Sequence, residues 1–198
     1  MSKKDKKVSQ EVPKEPEKTQ EEKPLEKIKA LLARERVLSE DSGSARELYD
    51  QSRFGEPKDS KVNYSLVEAL YLLEKGKMDI FDEKDKKISF DDFAKLARIV
   101  EPNFMVRYAA YKDMRSRGYI VKTALKFGAD FRIYDRGIKP GEDHAKWIMY
   151  PVHEGEHFGW YDFSGKNRVA HSTRKRLFLA VVDNEQDVVY YEIAWKRP

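Results

Sequence analysis

The sequence contains no cysteine, and this absence removes several kinds of chemistry. Disulfide bonds, thiolate nucleophiles and cysteine-ligated zinc sites are all excluded. The chain also lacks an apolar run near the roughly 20 residues that a membrane-spanning helix needs, and its N-terminus has no hydrophobic signal core. We therefore expect a cytoplasmic protein with no membrane segment.

Charged side chains are abundant, at 37% of residues against 40% hydrophobic ones. This balance is typical of a water-soluble protein, and 198 residues suffice for one large domain or two small ones with their own cores. The formal net charge is +4, a mild basic excess that is compatible with nucleic-acid binding but does not demand it.

The first 24 residues are almost free of apolar side chains and rich in Lys, Glu and Pro. Such a segment buries too little surface to offset the entropy lost on ordering, so residues 1–24 are predicted to be a disordered charged tail. Because its charges are of both signs, the tail is not predicted to be a dedicated RNA-binding arm.

Residues 25–102 have the pattern of a small mixed α/β domain. Apolar residues at 25–32 and 36–38 are assigned to strands, with a helix over 25–35 as the alternative. Ser44 and Ser65 are each followed three residues later by a glutamate, so each has the capping-box spacing that begins a helix. The remaining predicted elements are a turn over 54–57, a strand over 78–81 and a helix from Ser89 to Pro102.

Residues 103–198 predict a compact α/β domain, which gives an overall fold class of α/β in its α+β form. A first helix over about 103–117 carries an aromatic stripe at helical spacing, and this stripe is assigned to the core rather than to a base-stacking surface. The predicted strands are 119–123, 130–134, 147–152, 177–182 and 188–195, with a helix over about 162–171. The last two strands flank a polar turn and are expected to pair antiparallel within a mixed sheet.

Chemically reactive side chains are present between residues 134 and 175. Tyr134, His144 and Lys175 supply a phenol, an imidazole and an ammonium. Cleavage of RNA by its own 2′-hydroxyl needs a proton acceptor, a proton donor and a cation beside the phosphorus, without a metal or other cofactor. An imidazole with a pKa near 6.5 donates readily at neutral pH, whereas a phenol with a pKa near 10 needs a nearby cation to act as a base.

Residues His153 to His157 spell HExxH, the pattern of zinc proteases. That chemistry requires both histidines on one face of a helix, and Gly155 with Gly159 close by favours a loop. A third ligand is also undefined, so no metal site is predicted.

Several motifs resemble those of the archaeal tRNA-intron (splicing) endonucleases. They are RSRGYIVKT at 115–123, LKFGADF at 125–131, RVAHSTRK at 168–175, DVVYY at 187–191 and SLVEALYL at 65–72. The resemblance covers about residues 62–198, while residues 1–61 match poorly.

The resemblance implies a mixed N-terminal domain (25–102) and a nuclease-like α/β catalytic domain (103–198). It also implies cleavage of pre-tRNA at bulge–helix–bulge structures, which by the 2′-hydroxyl route leaves a 2′,3′-cyclic phosphate and a 5′-hydroxyl. In the matching motifs, Tyr134, His144 and Lys175 occupy the family's catalytic positions, with His144 as general acid and Tyr134 as base.

The same resemblance implies sites for RNA and for a partner subunit. Arg168 matches an arginine that helps to pinch a flipped bulge base. The second member of the pinch lies near the C-terminus, and the candidates there are Trp195, Lys196 and Arg197. The acidic turn resembles a loop that docks into a basic cleft on another subunit, and its acidic residues are Asp183, Glu185 and Asp187.

Because the acidic turn and the catalytic residues occur in one chain, a homotetramer is the first expectation, and its symmetry would supply two active sites for two cuts. A heterotetramer with a structural subunit is the alternative. A non-catalytic subunit that only binds RNA, or a metal-dependent nuclease, remains open as a different function.

Overall fold

The computed structural model describes residues 26–196, and within them the chain has a mixed α/β fold of five helices and two five-stranded sheets. The predicted tail over 1–24 lies outside the described residues. No helix in the described part of the chain is long and apolar enough to cross a membrane.

Sheet A belongs to the N-terminal half. Its strands are β1 (Ile28–Ala33), β2 (Arg36–Glu40), β3 (Glu56–Lys58), β4 (Lys61–Tyr64) and β5 (Met78–Phe81). Their order is β3-β4-β2-β1-β5, and β1–β5 is the parallel pair. The helices of this half are α1 (Gly43–Ser52), α2 (Leu66–Glu74) and α3 (Phe90–Val100).

Residues 28–33, for which both strand and helix were expected, form a strand. Ile28 and Ala30 are buried while Lys29 is exposed, so burial alternates with the period of two that a strand imposes. The alternative helix over 25–35 is therefore wrong.

One predicted helix start and one predicted turn in this half differ from the structure. Helix α1 is capped by Ser42, whose hydroxyl accepts from the backbone N–H of Ala45, and Ser44 lies inside the helix. The backbone N–H of Asp41 still donates to the carbonyl of Ser60, so the chain leaves the sheet only after Asp41 and the helix is capped at Ser42. The predicted turn at 54–57 continues into the short strand β3, because pairing with β4 extends the backbone there.

The capping box at Ser65 is confirmed, since its hydroxyl accepts from the N–H of Glu68 and the Glu68 carboxylate accepts from the N–H of Ser65. The predicted cap at Ser89 is confirmed as well, with its hydroxyl accepting from the N–H of Asp92. Both caps satisfy backbone donors that the first turn of a helix leaves free.

Sheet B belongs to the C-terminal half. Its strands are β6 (Ile120–Thr123), β7 (Phe131–Tyr134), β8 (Trp147–His153), β9 (Arg176–Val182) and β10 (Val188–Ile193), in the order β10-β9-β8-β7-β6. The β8–β9 pair is parallel and the others are antiparallel, so the expected mixed sheet and the antiparallel final pair are both confirmed. The parallel pair is joined by helix α5 (Trp160–Ser172).

Helix α4 (Phe104–Ser116) joins the two halves. Its stripe residues are all buried, which confirms their assignment to the core: Phe104, Tyr108, Tyr111 and Met114. One continuous apolar cluster contains side chains of both sheets together with α4. The two halves therefore share one core. The predicted domain boundary at residue 102 remains a prediction, since the packing is continuous across it.

A buried ion pair also connects the halves. The ammonium of Lys122 on β6 lies 2.8 Å from the carboxylate of Glu68 on α2, and both side chains are 6% exposed. The same ammonium donates to the carbonyls of Arg53 and Gly55. Burial alone raises the pKa of Glu68, but the charge and hydrogen bonds of Lys122 and Ser65 outweigh that effect, and the net pKa is lowered.

The turn that meets this ion pair requires glycine. Gly55 has a φ of +70°, and a β-carbon there would lie 2.6 Å from Val62 and 2.8 Å from Tyr64. Its N–H donates to the carboxylate of Glu68. The turn thus brings one donor and one acceptor to the buried charges, where a larger residue would not fit.

We expect Lys122→Met to lower the free energy of unfolding by about 3–5 kcal/mol, because it leaves a buried carboxylate without its cation. Denaturant unfolding at neutral pH measures this loss. The exposed pair of Lys87 and Asp79, 2.8 Å apart, provides the control, since Lys87→Met should cost less than about 1 kcal/mol.

The pH dependence of the same variants tests the cause. Since the pKa of Glu68 is lowered in the native fold, its stabilisation is present above the ordinary carboxyl pKa and is lost as pH falls through the folded-state value. A protonated Glu68 needs no partner, so the deficit of Lys122→Met should shrink in acid. A deficit that is equal at all pH values would contradict the assignment.

Candidate active site

The predicted catalytic residues lie at one end of sheet B, which we call the site end. The register there is set by two neighbouring pairs, Ile133–Trp147 and Trp147–Arg176. One residue further toward the site end, this register places Tyr134, Lys146 and Lys175 side by side. The structure thus brings Tyr134 and Lys175 within two strand spacings of each other, or about 10 Å.

Tyr134 is the last residue of β7 and is 5% exposed. The guanidinium carbon of Arg132 lies 5.9 Å from the centroid of its ring. The phenolic hydroxyl makes no hydrogen bond with any residue in the range 26–196. The phenol is therefore held by packing.

His144 is exposed and lies on the loop that connects β7 to β8. Its backbone N–H donates to the Asp143 carboxylate at 2.6 Å, and the buried Ala145 anchors the loop just after it. His144 precedes Lys146 by two residues, so along the chain it is within about 7 Å of the site end. Tyr134 and His144 do not hydrogen-bond to each other.

Lys175 is half-buried and immediately precedes β9. Its ammonium donates to the carbonyl of Thr173 at 2.9 Å. Burial, followed by the positive charge of Arg132, lowers the pKa of Lys175 below its ordinary value. The ammonium is thus held at the site end by its own backbone turn.

Trp195 lies at the same end of the sheet. Ile193 pairs with Leu177, and continuing that register by two residues places Trp195 beside Lys175. The indole is 52% exposed, and its ring centroid lies 4.6 Å from that of His171. Lys196 follows and is exposed. Arg197, the other candidate, lies outside the described residues.

Arg168 is not brought against Trp195. It is exposed on α5 and lines a cavity of about 410 Å³ together with Tyr150 and Phe158. The side chain that contacts the indole is His171, one helical turn further along α5. A pinch between Arg168 and Trp195 would need a base that spans the space between them.

The acidic turn lies at the opposite end of β9 from Lys175. Asp183 accepts from the N–H groups of Glu185 and Asp187, both at 2.9 Å, so its carboxylate holds the turn together. Glu185 and Asp187 are exposed. The turn therefore presents two carboxylates at a distance from the site end.

The HExxH segment is not helical. His153 ends β8, and its ring accepts from the N–H of Gly155 and contacts the side-chain oxygen of Asn184 at 3.2 Å. The loop interpretation is confirmed. Within residues 26–196, no group of three or more His, Asp or Glu side chains is arranged to hold a metal ion.

Sequence reasoning missed one charged residue of the site, Arg132. It precedes Tyr134 by two positions in the same strand, and alternation places two such side chains on one face of a sheet. That spacing could have identified it. Its closeness to Lys175 could not have been predicted from the sequence, because that closeness depends on the order of β7, β8 and β9 in the sheet.

Family models match both halves of the chain. The family model for the tRNA intron endonuclease N-terminal domain matches residues 28–94, and that for the catalytic C-terminal domain matches residues 104–190. The chain belongs to the tRNA intron endonuclease family. The N-terminal match begins at residue 28, so the expectation that everything before residue 62 matches poorly is wrong for residues 28–61.

Curated relatives in this family extend over most of the chain. A protein of Thermococcus onnurineus named tRNA-splicing endonuclease is 42% identical over 172 residues, which is 87% of this chain and 98% of that protein. A protein of the same name from Pyrococcus horikoshii is 40% identical over 168 residues, covering 85% and 96%. A third, from Nanoarchaeum equitans, is 46% identical over 139 residues, covering 67% and 88%.

The electrostatic link between Arg132 and Lys175 is testable. Since the charge of Arg132 is one cause of the lowered pKa of Lys175, Arg132→Gln should raise that pKa toward its ordinary value. Side-chain NMR titration of lysine Cε and Nζ measures the change, with the exposed Lys196 as internal reference. An unchanged Lys175 titration in this variant would contradict the proximity of the two cations.

Proposed function

We propose that this chain is an endoribonuclease that cuts pre-tRNA at bulge–helix–bulge intron junctions, by attack of the neighbouring 2′-hydroxyl and without a metal ion. The observation that carries the proposal is the alignment of Tyr134 with Lys175 across the site end, with His144 two residues before Lys146 on the loop that leads into β8. A phenol, an imidazole and an ammonium around one phosphate meet the needs of this reaction.

In the proposed mechanism, Tyr134 takes the proton from the 2′-hydroxyl as O2′ attacks phosphorus. The bond from phosphorus to O5′ breaks, and His144 gives a proton to that leaving oxygen. Lys175 stabilises the added negative charge on the phosphorane oxygens. The products are a 2′,3′-cyclic phosphate and a 5′-hydroxyl, so the reaction is of the lyase type.

RNA would be held by cationic and aromatic groups around the site end. The exposed face of Trp195 is suited to stacking an unpaired bulge base, and Lys196 beside it is suited to a phosphate. Arg168 lies on α5, one helical turn before His171, and is proposed as the other side of the pinch. This arrangement favours splayed bases over a regular duplex.

The acidic turn is proposed to dock on another copy of the chain. It begins after Val182, seven residues along β9 from Lys175, so the two are separated by about 23 Å. A cleft of about 350 Å³ offers complementary charge, and its cations are Lys75, Lys77, Arg115 and Lys139. The edge strand β10 also exposes Val189 and Tyr191, apolar surface of the kind that subunit contacts cover.

A homotetramer is the assembly proposed from these features, and a heterotetramer with a structural partner is the alternative. A non-catalytic RNA-binding subunit is the second candidate function, and the occurrence of Tyr134, His144 and Lys175 in one chain favours the enzyme. The proposed compartment is the cytoplasm.

We expect His144→Ala to slow cleavage of a bulge–helix–bulge RNA by about 100- to 10,000-fold, the range of a lost general acid. The exposed His157, on a different loop, provides the control, and His157→Ala should retain native activity. Product ends should be cyclic phosphate and 5′-hydroxyl, and activity should persist in excess EDTA. Cleavage of a substrate with 2′-deoxyribose at the scissile nucleotide would overturn the mechanism.

The assembly is tested on the purified chain alone by light scattering, with cleavage measured in the same sample. The native chain should be an active tetramer, and Glu185→Lys should weaken both assembly and cleavage, because it reverses a charge on the docking turn. Glu83→Lys, in an exposed turn of sheet A, should change neither. An inactive monomer or dimer that gains activity with a second subunit would replace the homotetramer by the heterotetramer.

A further inference from the structure

Arg132 differs from the other arginines that the fold removes from water. Its side chain is half-buried and its Nε atom is fully buried without a hydrogen-bond partner. Its guanidinium makes no hydrogen bond and no ion pair with any residue of the described range 26–196. Among the described residues, it is a partly desolvated cation without a counter-charge.

The other arginines that are not exposed in the described range have partners. Arg53, whose Nε is likewise buried without a hydrogen bond, pairs with Asp50 and donates to the carbonyl of Tyr49. Arg107 pairs with both Glu101 and Asp130. The buried Arg115 donates to the carbonyls of Ser52 and Tyr119 and lies over the ring of Phe54 at 3.7 Å. A buried charge without such partners costs stability, so a position that retains one calls for an explanation.

The surroundings of Arg132 are positive. It lies over the ring of Tyr134, and its charge acts on the ammonium of Lys175. Two carboxylates at this end of sheet B are paired with other cations, since Asp135 pairs with Lys146 at 2.6 Å and Glu192 pairs with Arg176 at 2.6 Å. Two cations that repel each other are stabilised together by an anion placed between them.

We propose that Arg132 is an anion-binding residue of the active site and that it receives the non-bridging oxygens of a tetrahedral phosphate beside Tyr134 and Lys175. That this phosphate is the scissile one of an RNA rests on the proposed function, whereas the binding of a tetrahedral oxyanion does not. A guanidinium suits this role because its planar fork donates two parallel hydrogen bonds to a phosphate. Lys175 then supplies a point charge, and Arg132 supplies orientation.

The first test uses inorganic phosphate and no RNA. Millimolar phosphate, compared with chloride at equal ionic strength, should raise the thermal unfolding temperature of the native chain, because a ligand that binds the folded state stabilises it. Arg132→Met should lose most of that rise. Arg46→Met, which removes an exposed arginine paired with Asp41, should keep it and corrects for general effects of the salt.

The second test separates binding from a structural role. In phosphate-free buffer, Arg132→Met should unfold at the native temperature or higher, since it removes a charge that has no partner. A structural arginine would give the opposite result, and a clear loss of stability in this variant would overturn the proposal. Arg132→Lys keeps the charge without the fork and should recover only part of the phosphate effect.

The third test measures cleavage of a bulge–helix–bulge RNA. Arg132→Met should lower kcat/KM by about 100-fold, the scale of one lost donor to a developing oxyanion. If phosphate stabilises the native chain through Arg132 and no RNA is cut, the anion site stands and the proposed function fails. If the native chain cuts RNA and Arg132→Met retains either the phosphate effect or full cleavage, the assignment of Arg132 is wrong.

Discussion

The buried ion pair between Lys122 and Glu68 is the interaction that the arrangement of the two halves depends on. Glu68 is the third residue of a capped helix in the N-terminal half, and Lys122 lies on the outer strand β6 of sheet B. Two charges at this depth persist only when each is satisfied, and here the Gly55 turn supplies the remaining donor and acceptor. The pair thereby fixes where β6 meets the N-terminal half, and β6 pairs with β7, whose last residue is Tyr134.

The chemistry of the site depends on a sheet of mixed direction. An antiparallel β7–β8 pair places the end of one strand beside the start of the next, and a parallel β8–β9 pair places two starts together. Residues 134, 146 and 175 therefore meet at one end although the chain between them is long. The same topology places the acidic turn at the other end of β9, which separates the proposed docking surface from the proposed catalytic surface.

Two cations, Lys175 and Arg132, lie close enough at the site end for their charges to interact. Lys175 is half-buried with a lowered pKa, and Arg132 is half-buried without a carboxylate partner. Folding alone gives no reason to bring two cations together, whereas a polyanionic ligand does. Under the proposal above, these cations lie beside the phenol of Tyr134 because they bind a charged substrate.

Local pattern was sufficient to predict most of the secondary-structure elements and to select the candidate site residues. Local pattern predicted the strands of sheet B, helical spacing predicted the buried stripe of α4, and the serine–glutamate spacing at Ser65 predicted a helix start, because each depends on residues within one or two turns of chain. At β1 the pattern left strand and helix open, and the alternating burial in the structure resolved it as a strand. The motifs around Tyr134, His144 and Lys175 identified the family without coordinates. Tertiary structure alone decided the cap at Ser42, the edge strand β3, the partner of Lys122 and the closeness of Arg132 to Lys175. Each of these depends on which strand lies beside which, and pairing between segments distant in sequence leaves no periodic signal in either one.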